Sequence, residues 1–395
     1  MQTYKSIFLK RGKEESLKRF HPWIFSGAIA RIDSNIEEGE VVNVFTASGT
    51  FIAVGMYQIG SIAVRVLSFE KVLIDEDFLK SRLSDAFEMR QRLGLIGSNE
   101  NNTFRLVHGE GDYLPGLIID CYSSTAVIQA HCVGMHLFRK EISQALLSVM
   151  DGVIKNVYYK SDTTLPFKAD IEHEDGFIFG EMESDTTIEN GLKFHVDWLR
   201  GQKTGFFVDQ RENRKLLESY SKNCSVLNMF CYTGGFSVYA MRGGASLVHS
   251  VDSSSKAIEL TERNIELNFP QDHSHYSYCE DAFKFLDNGG DKYDIVVLDP
   301  PAFAKHKAAM HNALKGYTRL NVKGMQRVKK GGLLFTFSCS QIVTKDNFRN
   351  AVFTAAVQAN RKVKILHQLH QPADHPINIF HPEGEYLKGL VLYVE

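Results

Sequence analysis

The chain has 395 residues, enough for two or three domains, and its 44% hydrophobic and 23% charged residues match an ordinary globular protein. A formal net charge of −2 excludes a partner recognised by bulk charge alone, and no apolar run approaches the ~18 residues of a membrane span. Six cysteines without metal-ligand spacing imply no metal and fit a reduced, cytoplasmic protein, and the charged start MQTYKSIFLKRGKEE does not resemble a secretory signal.

Residues 1–72 are expected to form a small β-rich domain. Short strands at 41–45, 51–57 and 62–67 are separated by the turn signals Ser48-Gly49 and Gly60-Ser61. Lys10, Arg11 and Lys13 belong to a basic N-terminal stretch next to Phe20-His21-Pro22-Trp23-Ile24-Phe25. Aromatic rings interleaved with Lys and Arg can stack bases and hold phosphates. For Trp23 and Phe25 the favoured role is instead the plug of a small barrel.

Residues 73–190 predict an α+β middle domain. Leu79, Leu83 and Phe87 have helical spacing and Gly94 a stop, followed by strands near 104–107, 117–120 and 126–130, a helix at 135–149 and a strand ending at Tyr159. The Gly-rich turn Gly109–Gly116 precedes a strand rather than a helix, so it is not a phosphate loop.

Residues 191–395 predict a doubly wound α/β domain of Rossmann-like type. Asp209 and Glu212 fit a capping box for a helix to Tyr220, while Lys203-Thr204-Gly205 and Gln210 are expected on a flexible lip. From 225 onward strands at 225–230, 247–251, 276–278, 294–298 and 332–337 alternate with helices, and 386–394 adds a last strand. Such alternation builds a parallel sheet with right-handed crossovers.

The strand Ile295-Val296-Val297-Leu298 ends in Asp299-Pro300-Pro301-Ala302-Phe303. The prolines hold the backbone extended beyond the strand's carboxyl edge, where open α/β sheets bind ligands. An acid, a rigid diproline and an aromatic suit the polar edge and flat face of a base, although for an isolated Asp-Pro-Pro a capped turn is the favoured reading. Gly234-Gly235 follows the first strand without the G-x-G-x-x-G fingerprint of pyrophosphate binding, which disfavours a nicotinamide dehydrogenase. The looser loop suits a ligand without phosphates, such as the amino-acid end of S-adenosylmethionine. Asp252 is placed to accept ribose hydroxyls and Asp281 to meet an adenine amino group, while each acid alone also fits a helix cap.

Cys339 ends the strand Gly332–Phe337 between Ser338 and Ser340, a polar mouth rather than an apolar core. Methyl transfer to an amine needs only a lone pair and a polar acceptor. C5 of cytosine offers no such nucleophile until a thiolate adds to C6. Cys339 and Asp299 match the two groups this requires, thiolate and polarising acid. Residues 305–330 are rich in Lys and Arg and contain no acid, which leaves a phosphate-binding face and a solvated helix face open.

With LKRGKEESLKRFHPWIFSGAI, GEGDYLPGLIID, GQKTGFFVDQR, CYTGGFSV, VVLDPPAF, LLFTFSCS and HPEGEYLKG, the whole chain resembles the bacterial 23S ribosomal RNA (cytosine-5)-methyltransferases, the large-subunit methyltransferase I family. The resemblance implies an N-terminal PUA RNA-binding domain, S-adenosylmethionine as cofactor and 23S rRNA as partner, free or within a ribosomal particle, with a homodimer left open. It implies Cys339 and Asp299 as catalytic residues. The expected cofactor set is Gln210, Phe230, Tyr232, Thr233, Gly234, Gly235, Phe236, Asp252, Asp281, Asp299 and Pro300. For the RNA, Pro301, Phe303, Lys323, Arg327, Lys10, Arg11 and Lys13 are expected. Many RNA cytosine-5 enzymes have a second cysteine beside the motif proline, and this chain has none there. The group that removes the C5 proton stays open, with Cys231 one candidate. An exocyclic-amine methyltransferase and a non-catalytic RNA-binding or ribosome-assembly module are the alternatives.

Overall fold

The computed structural model describes residues 4–166, 174–288, 290–304 and 306–395. Two compact units emerge: Met1–Gly191 with Val196–Val208 and Ala373–Gly384, and Leu192–His195 with Asp209–Pro372 and Glu385–Glu395.

In the first unit, strands Trp23–Phe25, Ile62–Ser68, Phe51–Tyr57, Val41–Phe45, Lys5–Leu9 and Ile29–Ile32 form one sheet in that order. A second sheet runs Gly176–Phe179, Asn156–Tyr159, Thr125–Ala130, Leu117–Tyr122 and Thr103–His108. Val54, Met56 and Leu67 from the first segment pack with Leu83, Leu106 and Ile119 from the next. The segments on either side of residue 72, expected as separate domains, thus share an apolar core. Period-2 alternation turns Ile24 inward and leaves Phe25 47% exposed. Phe25 therefore does not plug the sheet, and the half-buried Trp23 is held by its Nε1 donating to Glu110 Oε1 at 2.7 Å.

The Gly-rich turn has a structural explanation. Asp112 accepts from Arg90 Nη1 at 2.5 Å and Nη2 at 2.9 Å, and from the His108 amide at 2.6 Å. Arg90 is fully buried, so this fork-to-carboxylate pair fixes the turn rather than meeting a ligand. Thr204 is buried as well and donates to Asp120 Oδ2 at 2.6 Å, so this part of the expected lip is anchored.

In the second unit seven strands form one sheet: β1 (Ser225–Met229), β2 (Leu247–Asp252), β3 (His275–Cys279), β4 (Tyr293–Leu298), β5 (Val328–Ser338), β6 (Val363–Leu369) and β7 (Lys388–Val394). Their order is β3-β2-β1-β4-β5-β7-β6. Strands β1 to β5 are mutually parallel, and β7 runs antiparallel to both β5 and β6. The final strand added to the parallel sheet runs antiparallel. Strand β6 is not legible in the sequence, because it lies largely exposed and Lys364, His367 and Gln368 interrupt its apolar residues, so no strand-like apolar pattern marks it.

Among the described residues six helices flank the sheet: α1 (Arg211–Tyr220), α2 (Gly235–Arg242), α3 (Ser255–Asn268), α4 (Ala282–Asp287), α5 (Met310–Arg327) and α6 (Lys345–Gln358). Helix α1 starts at Gln210 without a side-chain cap. Asp209 instead accepts from Tyr386 Oη at 2.7 Å, so the expected capping box does not form. The run Ile295–Leu298 is fully enclosed, as a central strand covered on both faces requires. Helix α5 approaches it at Gly324, where a Cβ would stand 2.6 Å from Leu298 Cδ1. Among the described residues no helix is long and apolar enough to cross a membrane.

Candidate active site

The order of the strands reverses between β1 and β4, and the carboxyl ends of these strands and their neighbours β2 and β5 collect the expected site residues. After β1, Phe230 (φ 59°), Tyr232 (φ 48°) and Gly234 (φ 75°) each adopt left-handed backbone. This curls the chain tightly before α2, with Gly234 as its N-cap and no side-chain cap bond. Its first amides stay uncapped by side chains, which suits a carboxylate. A Cβ on Gly234 would meet Thr261 Cγ2 at 2.7 Å, and one on Gly235 would meet Arg214 Cδ at 3.0 Å, so the turn needs both glycines. Thr233 and Phe236 are buried behind it.

Asp252, half-buried at the end of β2, fastens this loop. Its Oδ2 accepts from the Tyr232 amide at 3.1 Å and its Oδ1 from the Ser254 amide at 2.9 Å. Asp281, exposed after β3, caps α4 by accepting from the Lys284 amide at 3.0 Å. A carboxylate oxygen has more than one lone pair, so these bonds leave both acids able to meet hydroxyl or amino donors. Two carboxylates on successive strand ends beside a glycine turn without a side-chain cap fit the ribose, adenine and amino-acid parts of S-adenosylmethionine.

On the other side of β1, Asp299 is half-buried where β4 stops. Gln210 is buried rather than on a flexible lip, and its Nε2 donates to Asp299 Oδ2 at 3.0 Å. Gln210 Oε1 accepts from Asn213 Nδ2 at 2.6 Å, which fixes the amide orientation. Pro300 is buried, whereas Pro301 is exposed at the rim. Phe303 packs 4.6 Å from the Tyr317 ring, against Gly316. That contact explains it as a packing residue.

Cys339 follows β5, with Sγ 3.9 Å from the Pro300 carbonyl oxygen, so thiol and diproline motif are neighbours across β4 and β5. Its flanks are pinned. Ser338 Oγ donates to Tyr317 Oη at 2.9 Å, and Ser340 Oγ to the Ala304 carbonyl at 2.7 Å. Burial pushes the Tyr317 phenol up to about 12, keeping it neutral. Burial likewise pushes the Cys231 thiol up to about 12, and its Sγ lies 3.6 Å from Thr261 Oγ1. Cys231 therefore stays protonated near neutral pH and is a poor candidate for the C5-proton base.

Two residues escaped the sequence reading: Tyr317 and Lys388. Lys388 heads β7 opposite Ser338 and donates to the carbonyls of Ser340 and Val343, both at 2.7 Å. A lysine at the head of the apolar run Gly389–Val394 was the available signal, but only the long-range register places it here.

The basic run divides. Arg327 is 94% enclosed (6% exposed), donating to the carbonyls of Asp291 at 3.1 Å and Phe285 at 3.3 Å, with its guanidinium over Tyr293. It is structural, which corrects its expected RNA contact. Lys323 is half-buried and ion-paired with Asp287, so it too is engaged within the fold. Lys305 lies outside the described residues. Lys315 and Arg319 are exposed along a groove of about 610 Å³ between α5 and α6. In the first unit Lys10, Arg11 and Lys13 are exposed, and Lys10 Nζ donates to the Gly27 carbonyl at 2.9 Å.

Residues 7–69 match a PUA-like domain, and residues 169–377, more than half the chain, match the S-adenosylmethionine-dependent methyltransferase family. The chain is 41% identical to "Ribosomal RNA large subunit methyltransferase I" of Aeromonas hydrophila and 39% identical to the protein of that name from Alteromonas mediterranea, covering 98% of both chains in each case. A Streptococcus mutans structure described as a SAM-dependent methyltransferase superposes with TM-score 0.84 at 23% identity, covering 98% of this chain and 100% of that one. Another structure, described as a methyltransferase complexed with SAH, gives 0.85 at 23% identity over the same shares, and both show the shared fold. The glycine turn, the two acids and the strand-end motif thus sit in a chain that belongs to the ribosomal RNA large subunit methyltransferase I family, with a PUA-like domain and an S-adenosylmethionine-dependent methyltransferase domain.

Proposed function

We propose that this chain methylates C5 of a cytosine in 23S rRNA, in the cytoplasm, through a covalent bond between Cys339 and C6 of the base. The observation that carries the reading is the approach of Cys339 Sγ to within 3.9 Å of the Pro300 carbonyl. An amine methyltransferase needs the acid and the prolines but has no use for a thiol beside them.

When bound, S-adenosylmethionine supplies an electrophilic methyl group and leaves as a thioether. Phe230, Tyr232, Thr233, Gly234, Gly235 and Phe236 cradle it, Asp252 and Asp281 hold its ribose and adenine, and Gln210 and Pro300 line the reacting end. Asp299 hydrogen-bonds the N3/N4 edge of the cytosine, and Gln210 fixes that carboxyl. The thiolate of Cys339 forms the S–C6 bond, and the C5–C6 π pair moves to C5, which becomes the nucleophile. Once C5 carries the methyl, loss of its proton to a base restores the C5–C6 double bond and expels the thiolate. Pro301 forms the rim of the base pocket. Lys10, Arg11 and Lys13, with Lys315 and Arg319 in place of Lys323 and Arg327, supply the phosphate contacts.

The test is nucleoside mass spectrometry of 23S rRNA incubated with the enzyme and labelled S-adenosylmethionine. The reading expects 5-methylcytidine from the wild type and none from Cys339→Ala, with cofactor affinity unchanged. Label recovered in N4-methylcytidine would favour the amine reading instead.

A further inference from the structure

Lys388 has an unusual place. It is 5% exposed, and its Nζ donates to two backbone carbonyls, Ser340 O and Val343 O, both at 2.7 Å. Among the described residues it forms no ion pair with a carboxylate. The nearest acid on its own strand's approach, Glu385, is ion-paired with Lys345. A buried cation without a carboxylate is costly, and two carbonyls compensate only part of that cost.

The charge lies at the turn that carries the thiol. Lys388 is the cross-strand partner of Ser338, the residue before Cys339, and its Nζ holds the carbonyl of Ser340, the residue after it. Burial lowers the ammonium to about 8. The negative charge of Cys339 is the largest influence holding it up, Glu385 assists and Lys345 opposes. Tyr317 from α5 and Asp299 from the end of β4 also face this turn, and the charges of Cys339 and Asp299 help raise the Tyr317 phenol. The phenol is neutral, and a carboxylate at Asp299 would disfavour a second anion. Lys388 is a cation directed at the Cys339 turn.

We infer that Lys388 is a positioning residue for the nucleophile: its ammonium, clamped to the Ser340 and Val343 carbonyls, stabilises Cys339 as the thiolate and balances the charge of Asp299. The inference rests on the reading of Cys339 as nucleophile. The thiol proton passes to solvent and the sulfur keeps the electron pair, while the ammonium holds its charge below about 8. Because the carbonyl clamp also orients the turn, charge and geometry must be separated experimentally.

The experiment follows iodoacetamide alkylation of the Cys339 peptide by mass spectrometry across pH, in the full-length enzyme, with thermal melting of each sample as a check on folding. Wild type should reach half-maximal reactivity about 1–2 units below the ~8.5 of an ordinary thiol. Lys388→Gln, which keeps a donor and removes the charge, should move the midpoint up by about 1–2 units, and Lys388→Arg should return it to near wild type. A wild-type midpoint at or above ~8.5 overturns the inference, as does an equal shift in both variants or no shift in either. A variant that fails to melt cooperatively leaves the wild-type midpoint as the deciding value. The readout does not involve methyl transfer, so its failure is distinct from failure of the Cys339 reading, which full activity of Cys339→Ala would reveal.

Discussion

Gln210 Nε2 donates to Asp299 Oδ2 at 3.0 Å, joining the segment that opens α1 to the acid that ends β4. The amide is itself oriented by Asn213. A carboxyl meant to hold one edge of a flat ring must not rotate, and this pair restricts it. Gln210→Ala should lower the single-turnover methylation rate by roughly 10–100-fold with little change in melting temperature, and Gln210→Glu should do more harm by setting two acids together. A rate unchanged in Gln210→Ala would show that Asp299 needs no such support.

The glycine turn predicts a binding defect. Gly234 has φ 75°, and a Cβ there would meet Thr261 Cγ2 at 2.7 Å. Gly234→Ala should cost roughly 1–3 kcal/mol of stability through left-handed strain and crowding. Calorimetry should show S-adenosylmethionine affinity falling at least 10-fold. A normal Kd would mean that the loop does not shape the cofactor site.

The sheet carries a pH liability. Burial lowers His275 to about 4 in the folded chain, where its Nε2 pairs with Ser250 Oγ at 2.7 Å. In the unfolded chain the same ring titrates near ~6.5, so the unfolded state binds more protons between those two values. This contribution is fully present above ~6.5 and is lost as pH falls toward 4, amounting to about 3 kcal/mol. His275→Gln should flatten the acid limb of a melting-temperature profile between those values. An acid limb identical to wild type would assign the loss to other groups.

The basic run makes a paired prediction. Lys315→Glu with Arg319→Glu should weaken rRNA binding and reduce the slope of log affinity against log salt by roughly 1 per lost phosphate contact. Arg327→Glu, placed in the enclosed site over Tyr293, should lower thermal stability by several kcal/mol instead. Filter binding across salt concentration distinguishes the two. An unchanged slope in the Lys315/Arg319 variant would make the groove an ordinary solvated face.

Local patterns carried much of the second unit. The apolar run before Asp299, the alternation of strands and helices, and Cys339 between two serines can all be read directly, because each depends on neighbours within a few residues. What stayed hidden depends on pairing across the chain. Lys388 gains its place from the antiparallel register of β7 on β5. Asp209 looked like a cap because Glu212 follows at the right spacing, yet Tyr386 takes its carboxylate. Arg327 looked like a surface cation because charge patterning cannot reveal that carbonyls of Phe285 and Asp291 enclose it. Gln210 shows the same limit: its position was noted, but its partner was unknowable without the fold.

The most direct measurement of the central claim is covalent trapping. A cytosine with fluorine at C5 has no proton for the base to remove, so an enzyme that adds through C6 stays joined to it after methyl transfer. 23S rRNA carrying 5-fluorocytosine, incubated with S-adenosylmethionine, should give a protein–RNA adduct stable to denaturing electrophoresis, with the cross-link mapped to Cys339 and absent in Cys339→Ala. Methylation of the natural RNA at C5 by Cys339→Ala at the wild-type rate, or an adduct on another residue, would contradict the account.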